Sequence, residues 1–288
     1  MGGTQIKMAA FSPEGKMVEK WTCQTNDQIE NGIPLYAETA RRMLSEIAAP
    51  DACIGIATPG LVAKDGRSIA SQPGKMQGIE KFDWTDFLHS KSIIPVLNDA
   101  HAALLGEVWQ GAAKGCRHAI LLTLGTGVGG AILSDGKLLK GVIGRAGHLG
   151  HVSINENEDL SIFGMPGSLE AAVGNYNVTR RTGGRFASSL ELEKAYLAGD
   201  VEAKMYWLKS IRDLARAIAS FVNILDPEIV IVGGGIAKSG KNLFQPLADF
   251  MEGAEWRPGG HRVRIVPAVL GEWAGTYGAA WNTLNFKE

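Results

Sequence analysis

Three glycine runs constrain this chain more than any other feature. Gly2-Gly3-Thr4, the stretch from Gly125 to Gly130 (GTGVGG) and Gly233-Gly234-Gly235 each stand beside a strand-like segment. Glycine is 37 of 288 residues, about 13% against an average of about 7%. The excess is clustered rather than periodic, which excludes collagen-like and low-complexity architectures. Such clusters mark places where backbone turns sharply or closely approaches a ligand. The second run reads GxGxxG, which in isolation suggests a dinucleotide loop. A Rossmann loop, however, opens into a helix whose N-terminus holds the pyrophosphate. Here Ala131-Ile132-Leu133 continues as strand and meets the hairpin signal Asp135-Gly136. The run is therefore a β-hairpin turn. It is either a plain connection or a cradle in which backbone N–H groups and the hydroxyls of Thr123 and Thr126 hold phosphate. Its length exceeds what a two-residue turn needs, which favours the cradle. The third run lies between a buried strand and a helix, where ligands sit in α/β sheets. Three such turns in two similar halves suggest one nucleotide held across a cleft.

Between the runs, strand and helix alternate. Residues 4–11 and 17–24 predict a hairpin turned at Pro13-Glu14-Gly15. Tyr36, Ala40, Met43 and Ile47 form a helical stripe that Pro50-Asp51 ends. ACIGIATPG reads as a buried strand, 61–70 as a small hairpin, 84–90 as a short helix and 93–97 as a strand. A helix capped by Asn98 or Asp99 runs to about Gly111. The second half repeats the plan with strands HAILLTL, AILSDG and KLLKG, followed by an irregular stretch over 141–170. A long helix over 200–225 carries the stripe Val201, Met205, Leu208, Ile211, Ala215, Ile218, Val222 and Leu225. EIVIV and RVRIV are strands, and a helix over about 273–286 closes the chain. The expected class is α/β, two domains of similar topology with a cleft between them.

Charge narrows the function classes. Lys and Arg number 29, Asp and Glu 30, for a net charge of -1. The basic excess required by a nucleic-acid or anionic-membrane surface is missing. No apolar stretch reaches the roughly 18 residues of a membrane span, and MGGTQIKMAAF lacks a signal-peptide layout. Cys23, Cys53 and Cys116 make neither a disulfide framework nor a CxxC pair. They are expected to be small buried hydrophobes in a reducing cytoplasm. Arg41-Arg42 and Arg180-Arg181 are expected on solvated helix faces, and the seven tryptophans in core or interface. His101, two residues past Asp99, is expected either to support Asp99 from behind or to lie at a cap or at the surface.

The stretches MGGTQIK, ATPG at 57–60, NDAHAALLGE at 98–107, LTLGTGVGGAIL at 122–133, GRAGHLGH at 144–151, GSLEAAVG at 167–174 and VIVGGGIAKSG at 230–240 occur in this order. In order and spacing the chain resembles the ROK family of sugar kinases, bacterial glucokinases above all, within the actin-like, hexokinase-like ATPase superfamily. The resemblance implies two actin-like (RNase H-like) α/β domains: 1–112 with the C-terminal helix 276–288, and 113–275. It implies that Gly2, Gly3, Thr4, Thr123, Gly125, Thr126, Gly127, Gly129 and Gly130 hold the phosphates of ATP, with Mg²⁺. Gly233, Gly234 and Gly235 would lie against the adenosine. Asp99 would be the general base. Asn98, Asp99, His148, His151 and Glu170 would bind the sugar, with the Pro59-Gly60 backbone lining the pocket. Phosphoryl transfer asks mainly for positioning and charge neutralisation, and a carboxylate base is worth about 10²–10⁴-fold. By residue type alone Asp99 reads as a helix cap, and the two roles are compatible.

Three departures from the family pattern stand out. The family opens with an acidic residue, an apolar residue and Gly-Gly-Thr. Met1 takes the apolar position, so the acidic residue and most of a first strand are expected before residue 1, in a truncated chain. Many members hold zinc through the GH histidine and a CxCGxxGCxE run. Here HVSINENEDLSIFGMPGSLE keeps Glu170 without any cysteine. His151 alone cannot complete a four-coordinate site, and beside His148 there is no third strong ligand, so no zinc is expected. Packing of Ile162, Phe163 and Met165 is expected to hold the loop. Finally, the usual ExGH is His148-Leu149-Gly150-His151. A neutral histidine offers one acceptor and one donor but no charge. Either sugar preference changes, or His148 replaces the contact with little effect.

The implied activity is ATP-dependent phosphorylation of a hexose 6-hydroxyl, glucose first, with N-acetylmannosamine, fructose or allose as alternatives. A non-catalytic sugar sensor of the same fold is another class. A sugar-responsive regulator would need a helix-turn-helix, whereas here the phosphate motif begins at residue 1. Neither nucleic acid nor membrane is an expected partner. A homodimer follows from family analogy alone.

Overall fold

The computed structural model describes residues 1–49, 52–155 and 159–286. The helix stop expected at Pro50-Asp51 and residues 287–288 of the closing helix lie outside them. The chain divides into two compact units: Met1–Gly115 with Lys140–Ala146 and Glu272–Glu288, and Cys116–Leu139 with Gly147–Gly271.

The first unit opens on an antiparallel hairpin of β1 (Gln5–Phe11) and β2 (Met17–Gln24). The expected turn closes it, with Gly15 N–H donating to Ser12 O at 2.9 Å. A short ladder, β3 (Ile29–Glu30) and β4 (Ile33–Pro34), enters α1 (Leu35–Ile47), which buries Tyr36, Ala37 and Ala40. Next come β5 (Ile56–Thr58), the antiparallel pair β6 (Leu61–Val62) and β7 (Ile69–Ser71), and α2 (Trp84–Phe87), capped by Asp83. Then β8 (Val96–Asn98) leads directly into α3 (Asp99–Gln110). The strand expected over 93–97 starts only at Val96, because Pro95 has no N–H to give to a ladder. β5 and β8 pair in parallel, from Ile56 opposite Val96 to Thr58 opposite Asn98. Gly60 and Asp99 therefore follow neighbouring strands off the same edge. The core gathers Tyr36, Ile69, Ile79, Trp84 and Ile94.

The second unit is built on a five-stranded sheet in the order β11-β10-β9-β12-β13. Its strands are β9 (Ala119–Leu124), β10 (Val128–Ser134), β11 (Lys137–Leu138), β12 (Ile229–Gly233) and β13 (Arg264–Pro267). β9 and β10 form the expected hairpin, and β9 and β12 run parallel with Thr123 opposite Gly233. β12 is buried throughout, which is why its sequence is an unbroken apolar run. The helices are α4 (Leu169–Val173), α5 (Val178–Arg181), α6 (Ser189–Leu197), α7 (Val201–Leu225) and α8 (Lys241–Ala254). α7 ends at Asp226, which is left-handed (φ 43°), before a proline that cannot continue a helix. The expected stripe of α7 is partly displaced. Val201 and Met205 are exposed, while Ala203, Trp207, Ile211, Leu214, Ile218 and Phe221 are buried. Both series have helical period, and packing of α7 on α4, α6 and α8 selects the one with the large aromatics.

α9 (Ala274–Asn285) returns to the first unit and packs along α3. The two helix backbones touch: a Cβ at Gly106 would overlap Ala274 O, and one at Gly278 would overlap Ala102 O. Other expectations need correcting. Cys53 is exposed and Cys23 and Cys116 half-buried. Trp256 is exposed. His101 is buried within α3. Arg41, Arg42 and Arg180 are exposed, but Arg181 turns inward, its guanidinium donating to Gly174 O and Val173 O. Among the described residues no helix is long and apolar enough to cross a membrane.

Candidate active site

In the first unit, the cap of α3 sets the geometry. Asn98 Oδ1 accepts from Ala100 N (2.9 Å) and His101 N (3.3 Å), and Nδ2 donates to Gly60 O (3.0 Å). One buried amide thus starts the helix and fixes the Pro59-Gly60 turn, committing one of its two hydrogens. Asp99 is exposed at the first helical position, its Oδ1 accepting from Ala100 N at 2.9 Å. The first glycine run lies close by, because the Met1 ammonium donates to Ala57 O in β5. Burial pulls that ammonium down to about 6, opposed by the Asp99 charge. The run is pinned by Gly2 N–H to Gln5 O (3.0 Å) and Thr25 Oγ1 to Gly2 O (2.6 Å). The stem of Lys75 lies across Gly3, in the place where a Cβ would go. Lys75 brings a cation to a turn assigned to phosphate. It belongs to no motif, so nothing in the sequence singles it out.

In the second unit the other two runs converge. The hairpin turn curls on itself, with Gly125 N–H donating to Gly127 O at 2.9 Å. Gly234, at φ +89°, presses so closely on the Leu124 backbone that a Cβ would overlap it. Thr123, the 125–127 turn and Gly233–Gly235 therefore share the carboxyl edge of β9 and β12. Gly129 and Gly130 fall within β10, and Gly130 has a packing reason of its own, since Gly147 O and Leu149 lie against it.

The histidine segment rests on this hairpin. Leu149–His151 is a 3-10 turn seated so tightly that a Cβ at Gly150 would overlap Val128 O. The rings of His148 and His151 lie parallel (7°) with centroids 6.3 Å apart, and Phe163 meets His151 edge-on at 5.2 Å. His151 Nδ1 is buried with no partner among the described residues, and such an atom costs roughly 1–3 kcal/mol unless a ligand or water satisfies it. Glu170, buried at the start of α4, accepts from Val128 N at 3.2 Å and from Ile162 N at 3.0 Å. Ser168 caps that helix through Ala171 N (3.1 Å).

The loop before α4 is not held by the packing expected of Ile162, Phe163 and Met165, which are all exposed. Hydrogen bonds hold it. Ser161 Oγ accepts from Phe163 N (3.2 Å) and Met165 N (3.0 Å), Glu170 holds Ile162, and Tyr176 Oη donates to Leu160 O (2.7 Å). Counted back from Glu170, the three cysteine positions of the zinc run hold Ser161, Phe163 and Ser168. Two of these side chains already serve backbone N–H groups, and the third packs on His151. Among the described residues no three His, Cys, Asp or Glu side chains are grouped to hold a metal.

Magnesium with a nucleotide asks for less, since that ion keeps waters and takes one or two carboxylates plus phosphate oxygens. A nucleotide fits the two turns, because nothing lies within 4 Å of a Cβ placed at Gly125 or Gly235, so the space in front of both is open.

Comparison with known proteins agrees over nearly the whole chain. The sequence profile of the ROK family matches residues 1–285. The chain is similar to a glucokinase of Halalkalibacterium halodurans, 32% identical across 98% of this chain and 92% of that protein. It is similar to a glucokinase of Thermotoga maritima, 33% identical across 96% and 89%. Its fold matches the crystal structure of a ROK hexokinase from Thermus thermophilus with a TM-score of 0.84, at 28% identity, covering 97% of this chain and 94% of that one.

Proposed function

The chain belongs to the ROK family and acts as an ATP-dependent sugar kinase, and from that premise we propose that its acceptor is the 6-hydroxyl of a hexose, glucose first. The observation that carries the reading is the division of labour at α3. Asn98 takes the N–H groups of Ala100 and His101, and Asp99, which shares that of Ala100 through Oδ1, keeps its carboxylate exposed to a substrate. Asp99 accepts the proton of the sugar hydroxyl as its oxygen bonds to the terminal phosphorus of ATP and the bond to ADP breaks. The glycine turns hold the phosphates through backbone N–H groups. Mg²⁺, when bound, would neutralise phosphate charge. His151 and Glu170 orient the sugar, and His148 stands where the family pattern has a carboxylate.

The test is ADP release with Mg-ATP across glucose, N-acetylmannosamine, fructose and allose. The highest kcat/KM is expected for glucose. A higher value for another sugar would reassign the substrate within the same mechanism. Turnover with none would favour a non-catalytic sensor of this fold.

A further inference from the structure

Two residues of the 168–177 segment each hold both the phosphate turn and the loop before α4. Glu170 accepts from Val128 N at the end of the turn and from Ile162 N in the loop. Six residues on, Tyr176 N–H donates to Thr126 O in the turn (2.9 Å), while its hydroxyl donates to Leu160 O in the loop (2.7 Å). Asn175 N–H adds a bond to Gly125 O (2.9 Å). The joint leaves no slack, because a Cβ at Gly127 would overlap Glu170 Oε1. Burial, with the Glu170 charge adding to it, pushes the Tyr176 hydroxyl up to about 12, so it stays a hydrogen-bond donor at neutral pH.

We infer that Glu170 and Tyr176 form a double bridge that couples nucleotide binding at the 125–127 turn to sugar binding beside His151. This rests on the sugar-kinase reading above, and Tyr176 acts in it as a positioning residue. A ligand that orders one loop orders the other through two residues that each bond to both: Glu170 by its two carboxylate oxygens, Tyr176 by its backbone N–H and its hydroxyl. Linkage then requires that a nucleotide raise sugar affinity by the same factor as the sugar raises nucleotide affinity.

The experiment is calorimetric binding of the preferred sugar with and without a non-hydrolysable ATP analogue, in the native protein and in Tyr176→Phe, which deletes one arm. The native protein is expected to show coupling of about 5-fold or more. Tyr176→Phe is expected to lose about 2- to 10-fold of it, the worth of one hydrogen bond, while each ligand alone still binds. Tyr196→Phe, distant on α6, serves as the control and keeps the coupling. Amide hydrogen exchange supplies a second readout that needs no variant: Val128 and Ile162 should slow together when either ligand is added alone. Unchanged coupling in Tyr176→Phe, or slowing of only one amide, overturns the bridge while leaving the kinase standing. Failure of the native protein to bind either ligand overturns both.

Discussion

Asn98 caps the helix that begins at Asp99, and the two side chains share the N–H of Ala100. Asn98 Oδ1 takes the helix N–H groups and its Nδ2 holds Gly60 O at 3.0 Å. Replacement by alanine removes a cap and leaves the Gly60 carbonyl short of a donor, at a combined cost of about 1–3 kcal/mol. Asn98→Asp keeps the acceptor, loses the donor to Gly60 O and sets a negative charge beside that carbonyl and Asp99. It should unfold closer to the native midpoint in urea and show its defect mainly as a raised sugar KM. Equal midpoints for the alanine variant and the native protein would show that the cap is not structural.

The phosphate turn contains two glycines with different constraints. Nothing lies near a Cβ at Gly125, whereas one at Gly127 would overlap Glu170. Gly125→Ala should leave stability within about 0.5 kcal/mol and raise the KM for ATP about tenfold or more, because the methyl group enters the space assigned to phosphate. Gly127→Ala should damage stability and activity together. Thermal unfolding and ATP titration of both variants check this, and an unchanged ATP KM in Gly125→Ala would move the phosphate elsewhere.

Acid sensitivity should map in part to Glu228. Its carboxylate accepts from Arg117 N (2.7 Å) and His118 N (2.9 Å), and those backbone bonds hold it below its ordinary value of 4.5. A lowered carboxylate contributes stability that is present above its unfolded pKa and lost as pH falls through the folded one. Native stability should therefore decline below about pH 4.5, and Glu228→Gln should show a flatter decline over that window. Urea midpoints measured from pH 6 to 3 give the comparison. Parallel curves would remove Glu228 from the acid response.

Ser161, Glu170 and Tyr176 hold the loop at 159–168 through hydrogen bonds. Exhaustive chelation should leave the thermal midpoint and the activity with re-added Mg²⁺ unchanged, and elemental analysis should find no stoichiometric zinc. Ser161→Ala, which strips the acceptor from Phe163 N and Met165 N, should cost about 1–2 kcal/mol. Stoichiometric zinc, or a neutral Ser161→Ala, would contradict this account of the loop.

The features legible in the sequence were those set by local chemistry. GTGVGG followed by Ala131-Ile132-Leu133 and Asp135-Gly136 could only be a hairpin turn, and EIVIV only a buried strand. Asn98-Asp99 was legible as a helix start, but the sequence could not say which residue caps, because both types do so equally well. That depended on Gly60, in the turn that follows β5, which takes the other end of the Asn98 amide. Long-range partners decided the other differences as well. Two apolar series of equal period run along α7, and the choice of buried face rests on helices distant in sequence. Arg181 read as a solvated charge, since carbonyls that receive a guanidinium leave no trace in a pattern. Exposed Phe163 beside a hydrogen-bonded Ser161 was equally unreadable, because backbone N–H groups carry no sequence signature.

The most direct test of the proposed chemistry is Asp99→Asn, which keeps shape and hydrogen-bonding capacity and removes the proton acceptor. Sugar-dependent ADP release should fall by about 10²–10⁴-fold in kcat, with sugar and nucleotide affinities within a few-fold of native. Turnover retained at the native rate would contradict Asp99 as the base and, with it, the catalytic role assigned to the start of α3.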